Sequence, residues 1–368
     1  MNAIERRYDI DWLRVIAIAL LLIYHSAIVF QPWGALIGFM QSNESLEWIW
    51  IPMSFLNVWR IPLLFFVSGM GVCFAMRKRS WKELLIERSK RILVPLVFGM
   101  LAIVPVHVLI WQSYYSQPLS YEWGRGHLWF LANIFIYVLV LLPVFYYLKK
   151  STHKLQDTIS KFLSHPLSAI LVTVLFVLEV ILVKPDSFEL YALTTHGFVI
   201  GFISFLMGYL FIYSGDRFWD EIKSKRWIYF IIAITLYLIR VFIFDLASPK
   251  FIIAVESVSW IYTIFSFGFK YLNRSGKSLS YLSKAAYPVY VLHMIFLYLG
   301  ATLILPFNIN TEMKFAGVTA ISLFGSLIVY ELLIRRIKWI SVLFGVFQTK
   351  KYGGAEFITS AEVLSYRA

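Results

Sequence analysis

Three residues with charged or imidazole side chains lie in one otherwise apolar stretch near the N-terminus, residues 11–30. They are Asp11, Arg14 and His25. An α-helix turns 100° and rises about 1.5 Å per residue, so eleven residues from Arg14 to His25 make about three turns and about 16 Å. The two side chains would therefore share a helix face, which Asp11 joins three residues before Arg14. Arginine binds anions and a neutral imidazole accepts protons near pH 7, so this face could bind an anionic ligand and move a proton.

This pattern has two interpretations. In the structural one, Arg14 extends to the lipid headgroups and pairs with Asp11, while His25 is a neutral packing residue. In the functional one, the face lines a pathway from the cytoplasm into the outer half of the membrane. An extended ligand would then lie along it, with its anionic end near Arg14 and its reactive end near His25. A phosphopantetheine arm has about this reach.

The composition is that of a polytopic membrane protein. The 368 residues are 60% hydrophobic and 15% charged, with a mean hydropathy of +0.72, whereas soluble domains are about 45–50% apolar and about 25% charged. The single cysteine, Cys73, excludes an intrachain disulfide. A span needs about 20 mostly apolar residues, and this criterion predicts ten: 12–30, 52–76, 92–111, 128–148, 167–183, 197–213, 227–245, 251–270, 285–306 and 315–334.

The distribution of lysine and arginine predicts the orientation. Of the 34 basic residues, 27 fall on the side that carries both termini, and four fall in the opposite gaps. Because cytoplasmic loops are enriched in basic residues, both termini are predicted to be cytoplasmic. We therefore predict an all-α polytopic membrane protein with about ten transmembrane helices. The membrane domain would cover residues 1–338, followed by a short cytoplasmic tail, 339–368, and the first span would be retained rather than cleaved.

The remaining ionisable residues of the predicted spans are unevenly placed. His293 falls near the midplane, and most of the others fall in the outer half or at its rim: Arg60, His107, His127, Glu179, His196, Arg240, Asp245 and Glu256. Each one alone is as readily an interfacial or paired structural group, but the set predicts a hydrated cavity open to the outside. No HxxxH, HxH or ExxH spacing occurs, so we predict no metal site.

The gap 77–91, RKRSWKELLIERSKR, contains seven basic residues. These residues could simply set the topology and contact anionic lipid. Alternatively, Arg88 and Arg91, three residues apart, could bind phosphate on one helix face. The chain has no Walker A or GxGxxG motif, and nothing else in it points to nucleic acid.

Small residues interrupt the second predicted span at Ser68, Gly69 and Gly71. Such residues allow helices to approach closely, so they could form a packing patch or one wall of a groove. The sequence leaves both interpretations open.

Taken together, these elements resemble the acyltransferase-3 family of integral membrane acyltransferases over residues 8–335. The Arg14–ten residues–His25 motif is the clearest element, and Asp11 stands where members commonly carry an acid. The HLWFL segment, 127–131, is similar to the branch that contains glucan biosynthesis protein C. Three further elements match: FF-x-SG (Phe65, Phe66, Val67, Ser68, Gly69), Arg-x-x-Arg (Arg88, Arg91) and YPxYxxH (Tyr287, Pro288, Tyr290, His293).

The resemblance implies a multi-pass protein of the cytoplasmic cell membrane that moves an acyl group, acetyl or succinyl, from cytoplasmic acyl-CoA to a hydroxyl of an extracytoplasmic glycan or glycolipid. Acyl-CoA would be a substrate rather than a tightly bound cofactor. Arg88 and Arg91 would bind the CoA phosphates, and Arg14 would bind CoA deeper in the membrane. His25, Arg14 and Asp11 would be the catalytic residues, with His25 acting as general base or carrying the acyl group covalently.

The other predicted site residues have less defined roles. Ser68 or Tyr290 could donate to the tetrahedral oxyanion. Arg60 could bind a succinyl carboxylate or pair with an acid, and His127 and His293 would contact substrate. No oligomeric state is predicted.

Two other functional classes account for part of the pattern. A transporter or flippase for an anionic glycan or lipid would also place charges at the midplane around an outward cavity. The chain, however, shows no clear inverted repeat and carries the full set of motifs. A structural scaffold would explain the spans but not their buried ionisable residues.

Overall fold

The computed structural model describes residues 6–165 and 167–347, and this part of the chain is helical without strands. Its α-helices are α1 Tyr8–Val29, α2 Trp50–Asn57, α3 Arg60–Lys78, α4 Trp81–Arg88, α5 Val94–Phe98, α6 Val104–Tyr114, α7 Trp129–Lys150, α8 His153–Leu163, α9 Leu167–Val183, α10 Thr195–Tyr213, α11 Asp216–Ser224, α12 Arg226–Phe242, α13 Lys250–Tyr271, α14 Lys277–Ile304, α15 Thr311–Val329 and α16 Lys338–Leu343. Short π-helical turns at Ser89–Leu93, Gly99–Ile103 and Tyr330–Ile334 continue or separate these helices.

Within the described ranges, eight helical segments are long and apolar enough to cross a membrane, so the chain is a multi-pass membrane protein. The α8–α9 pair, bent by 80°, would make a ninth. Eight of the ten predicted spans correspond to these eight segments. The other two, 167–183 and 227–245, correspond to the 17-residue helices α9 and α12. The count of ten and the cytoplasmic termini remain predictions.

Helix α1 is central, because it packs against α3, α13, α14 and α15. Helix α3 lies directly against α10 at glycines. A Cβ on Gly69 would lie 1.9 Å from the Phe205 carbonyl oxygen, and one on Gly208 would lie 2.0 Å from the Phe66 carbonyl oxygen. Only glycine permits this approach, so Gly69 belongs to a helix-packing patch. Nothing lies within 4 Å of a Cβ built on Gly71.

A break at Val58–Trp59 separates α2 from α3 inside the second predicted span. The Val58 carbonyl has no helical donor, because the residue four positions later, Pro62, lacks an N–H. It accepts hydrogen bonds instead from Ser257 Oγ at 2.7 Å and Tyr191 Oη at 3.1 Å. A buried carbonyl without a partner would be costly, so these two donors stabilise the interruption. As a result, Arg60 becomes the first residue of α3 and lies inside the helix bundle.

The predicted tail is described only in part. Residues 339–347 include most of α16, which packs against α5. The rest of the predicted tail, 348–368, lies outside the described residues. The domain boundary at 338 remains a prediction.

Candidate active site

Two histidines from different helices meet inside the bundle. Nδ1 of His25, on α1, lies 2.9 Å from Nε2 of His293, on α14. The two rings are nearly parallel, with an interplanar angle of 20° and centroids 5.1 Å apart. His293 is fully buried, while His25 is partly exposed. The pair therefore joins one enclosed imidazole to one that a ligand can reach.

The partners of His293 determine which nitrogens carry protons. Nδ1 of His293 lies 2.6 Å from the Tyr290 carbonyl oxygen, which can only accept, so this Nδ1 must donate. In a neutral ring Nε2 is then an acceptor, and His25 Nδ1 must donate to it. The lone pair of His25 is consequently on Nε2, which has no hydrogen-bond partner among the described residues.

His127 extends this pair into a larger histidine cluster. Its Nε2 donates to the Val291 carbonyl oxygen at 3.0 Å, and its own carbonyl accepts from Tyr290 Oη at 2.6 Å. The His127 and His293 rings are perpendicular at 5.1 Å, and His107 follows at 5.5 Å from His127. The turn before α7 is thereby fixed against α14, which holds His127 beside the His25–His293 pair.

The other end of the predicted polar face contains Arg14. Its Nη2 lies 3.1 Å from Asp11 Oδ1 and 3.4 Å from the Ser283 carbonyl oxygen. Asp11 also binds Arg6 at 2.9 Å, so one carboxylate serves two guanidinium groups. Since Ser283 and His293 both belong to α14, Arg14 and His25 contact the same neighbouring helix. About 40% of the Arg14 side chain remains exposed, which leaves it accessible to a ligand.

The two arginines of the predicted phosphate clamp are brought together by an acid that the sequence analysis did not single out. Glu87 lies 2.8 Å from Arg88 Nε and 2.7 Å from Arg91 Nε. Arg88 ends α4, and Arg91 lies in the following π-helical turn. The i,i+4 spacing of Glu87 and Arg91 was the available signal. The cluster keeps one net positive charge, so a phosphate would compete with or share the Glu87 carboxylate.

The two predicted hydroxyl donors already use their hydrogens. Ser68 Oγ donates to the Leu64 carbonyl at 2.7 Å along α3. Tyr290 Oη donates to the His127 carbonyl at 2.6 Å. A hydroxyl has one hydrogen, so in this arrangement both can only accept from a ligand.

The two buried arginines of the predicted outer half have different environments. Arg240 binds Glu256 through Nε at 2.7 Å and Nη2 at 2.9 Å, and Nη2 also reaches the Ser54 carbonyl at 3.1 Å. Arg60 has no carboxylate partner in the described part of the chain. Its Cζ lies 4.1 Å from the centre of the Tyr24 ring, a contact that sequence analysis missed because it depends on the break before α3.

The remaining predicted outer-half pair is structural. His196 Nδ1 lies 2.9 Å from both carboxylate oxygens of Glu179, and its Nε2 lies 2.8 Å from the Phe188 carbonyl. Both side chains are buried, so this pair fastens α9 to the start of α10. Among residues 6–165 and 167–347, no three His, Cys, Asp or Glu side chains converge as a metal site would require.

The comparisons with known proteins bear on the chain as a whole. A family model described as an acyltransferase domain, acyltransferase-3, matches residues 7–331, which is most of the chain. This match confirms the family resemblance seen in the motifs, whereas the glucan biosynthesis branch remains a prediction. No curated protein matches the chain significantly.

Proposed function

The chain belongs to the acyltransferase-3 family and is an acyltransferase, and we propose that it transfers an acetyl or succinyl group from cytoplasmic acyl-CoA to a hydroxyl of an extracytoplasmic glycan, such as a glucan, or of a glycolipid. The observation that carries this proposal is the hydrogen-bonded order Tyr290 carbonyl, His293, His25. It directs the His25 lone pair away from His293 and toward the accessible side of the ring.

The proposed reaction uses His25 as general base. The acceptor oxygen forms a bond to the thioester carbonyl carbon while His25 Nε2 takes the hydroxyl proton. The C–S bond then breaks, and the departing CoA thiolate receives this proton from Nε2. His293 keeps the ring oriented and stabilises the imidazolium through the Nδ1–H bond, as the third group of a catalytic triad does.

The donor would enter from the predicted cytoplasmic side. Arg88 and Arg91 would bind the CoA phosphates with Glu87 between them, and Arg14 would bind CoA farther along α1. The unbroken α1 supports this arrangement, because it spaces Arg14 and His25 by about 16 Å. His127, Tyr290 and Ser68 would surround the site in which acyl group and acceptor meet, with the enclosed His293 behind His25.

The primary test uses protein in nanodiscs with radiolabelled acetyl-CoA or succinyl-CoA and glucan oligosaccharides. We expect label on the glycan with wild type and a loss of about 10²–10⁴-fold with His25→Ala, the range of a missing general base. His153→Ala is the matched control, because His153 is exposed at the start of α8. Acid-quenched protein that retains label on His25 would instead assign the ring as an acyl carrier.

Donor binding is tested separately by equilibrium titration with CoA. Arg88→Gln/Arg91→Gln should weaken CoA binding at least about tenfold, because charge-assisted hydrogen bonds are lost. Arg217→Gln, a change at an exposed arginine of α11, should leave it unchanged. Wild type that moves glycan across the membrane without acylating it would contradict the enzyme proposal and favour a transporter.

A further inference from the structure

Arg60 is a buried cation whose hydrogen-bonding capacity is almost unused. The residue is 1% exposed, and a guanidinium carries five N–H donors. In the described ranges only Nη1 makes a hydrogen bond, a long one of 3.4 Å to the Leu20 carbonyl oxygen. The buried Nε has no partner. Four of the five donors are therefore available.

An unpaired guanidinium inside a membrane protein is unfavourable. Removing a charge from water costs several kcal/mol unless an anion or a complete set of hydrogen bonds replaces the lost hydration. The Tyr24 ring offsets part of this cost through a cation–π contact at 4.1 Å. Such a contact with the ring face does not by itself satisfy the N–H donors as oxygen acceptors would. The remaining donors are thus available to a group that residues 6–165 and 167–347 do not supply.

The position of Arg60 links it to the histidine pair. Leu20 and Tyr24, its two contacts on α1, lie within the five residues that precede His25. The Tyr24 ring that contacts the Arg60 guanidinium lies 5.9 Å, centroid to centroid, from the His25 ring. A group bound by the free N–H donors of Arg60 would therefore lie close to the proposed base.

The predicted hydroxyl donors leave the tetrahedral oxyanion without a hydrogen-bond donor. Ser68 and Tyr290 give their hydrogens to main-chain carbonyls, so neither donates to a developing anion in this arrangement. We propose that Arg60 is a catalytic residue that stabilises the tetrahedral oxyanion of acyl transfer. This inference rests on the proposed function.

The proposed acyl transfer needs no reactant besides the thioester and the acceptor hydroxyl. When the acceptor oxygen adds to the thioester carbonyl carbon, the C=O electron pair moves to the carbonyl oxygen, and Arg60 N–H groups donate to the resulting alkoxide. When the intermediate collapses, the C=O bond forms again, the C–S bond breaks, and Arg60 is released. Donors that are fixed before the reaction act most strongly in a water-poor site.

The test measures kcat and KM separately in nanodiscs with labelled acetyl-CoA and glucan oligosaccharides. Arg60→Met should lower kcat by about 10²–10³-fold, the usual effect of losing an oxyanion donor. KM and the binding of S-ethyl-CoA, a thioether that lacks the thioester carbonyl, should not change, because the interaction forms only in the transition state. Arg60→Lys should retain part of kcat, since it restores charge but not the forked donors.

Chemical rescue supplies a readout that a structural role would not move. Adding guanidinium ions to Arg60→Ala should restore kcat in a saturable manner, whereas urea at the same concentration should not. A wild-type kcat in Arg60→Met, or a change confined to KM, would overturn the assignment. If Arg60→Met fails to fold, a wild-type kcat in Arg60→Lys without rescue of Arg60→Ala overturns it equally. Inactive wild type alongside inactive His25→Ala would instead refute the proposed acyl transfer, and the Arg60 role with it.

Discussion

Arg60 and Arg240 are equally buried, each 1% exposed, yet their hydrogen-bond and ion-pair partners differ. Arg240 forms two hydrogen bonds with Glu256 and a third with the Ser54 carbonyl, so it joins α12 to α13 and to α2. Arg60 has one long hydrogen bond and an aromatic ring. Burial alone therefore does not distinguish a structural cation from a functional one; the number of satisfied donors does.

The two arginines should differ in what their substitution changes: Arg240 mainly stability, and Arg60 mainly activity. A partnered buried ion pair is costly to break, because the surviving partner remains charged and unsolvated. An unpartnered buried cation contributes little to stability and is instead available to an incoming anion. The following changes test this division.

Removal of Arg240 should produce the largest loss of stability. Arg240→Met leaves Glu256 buried without its partner, and we expect a loss of about 3–5 kcal/mol in the free energy of unfolding. Titration of SDS into mixed micelles measures this quantity. A loss below about 1 kcal/mol would show that the pair is not structural.

The double variant sharpens this test. Arg240→Met/Glu256→Leu removes both charges, and replacing a buried pair by apolar side chains is often neutral for stability. We therefore expect the double variant to recover about 3 kcal/mol relative to Arg240→Met. Strict additivity of two unfavourable changes would contradict a direct coupling between the residues.

The same substitution at Arg60 should change the free energy of unfolding in the opposite direction. Arg60→Met removes a desolvated charge and leaves no acid unpaired, so we expect the free energy of unfolding to rise by about 1 kcal/mol. Loss of the Tyr24 contact offsets part of the gain. The SDS titration used for Arg240→Met checks this prediction. A loss as large as that of Arg240→Met would place Arg60 among the structural cations.

The smallest effect concerns Glu44, an exposed acid in the loop before α2 that binds the first turn of α15. The pKa of Glu44 is lowered by a hydrogen bond from Thr311 Oγ1 and by Lys314, whose Nζ lies 3.4 Å from the carboxylate. Because the folded pKa lies below the unfolded one, the stabilisation is present above the unfolded pKa and disappears as pH falls through the folded pKa. Thermal melting from pH 6 to pH 3 should show this small decline, and Glu44→Gln should remove it. An identical pH profile in both proteins would contradict the assignment.

Much of the architecture follows from the sequence because membrane helices have a strong local signal. Long apolar runs predict α7 and α14 without knowledge of their neighbours, and the helical spacing of Arg14 and His25 needs only an unbroken α1. The contacts that define the site are not local. The His25–His293 bond spans 268 positions, and nothing in either motif fixes which ring nitrogens meet.

The break before α3 shows the same limit. Residues 52–76 read as one apolar run in which Pro62 is the local signal of an interruption. The donors that stabilise the freed Val58 carbonyl, Ser257 and Tyr191, come from distant segments. This break determines where Arg60 lies. Sequence could therefore identify Arg60 as unusual but could not separate it from Arg240, whose partner Glu256 lies only one helix away.

The order of hydrogen bonds at the histidine pair also determines by which atom a proton can enter and leave the site. The Tyr290 carbonyl that accepts the His293 Nδ1–H bond does not take up the proton, so no proton leaves the pair through His293. A proton taken up on His25 Nε2 must leave from that same nitrogen. In the proposed reaction it goes to the CoA thiolate, so each turnover is electroneutral for the protein, and the rate should be indifferent to the transmembrane proton gradient.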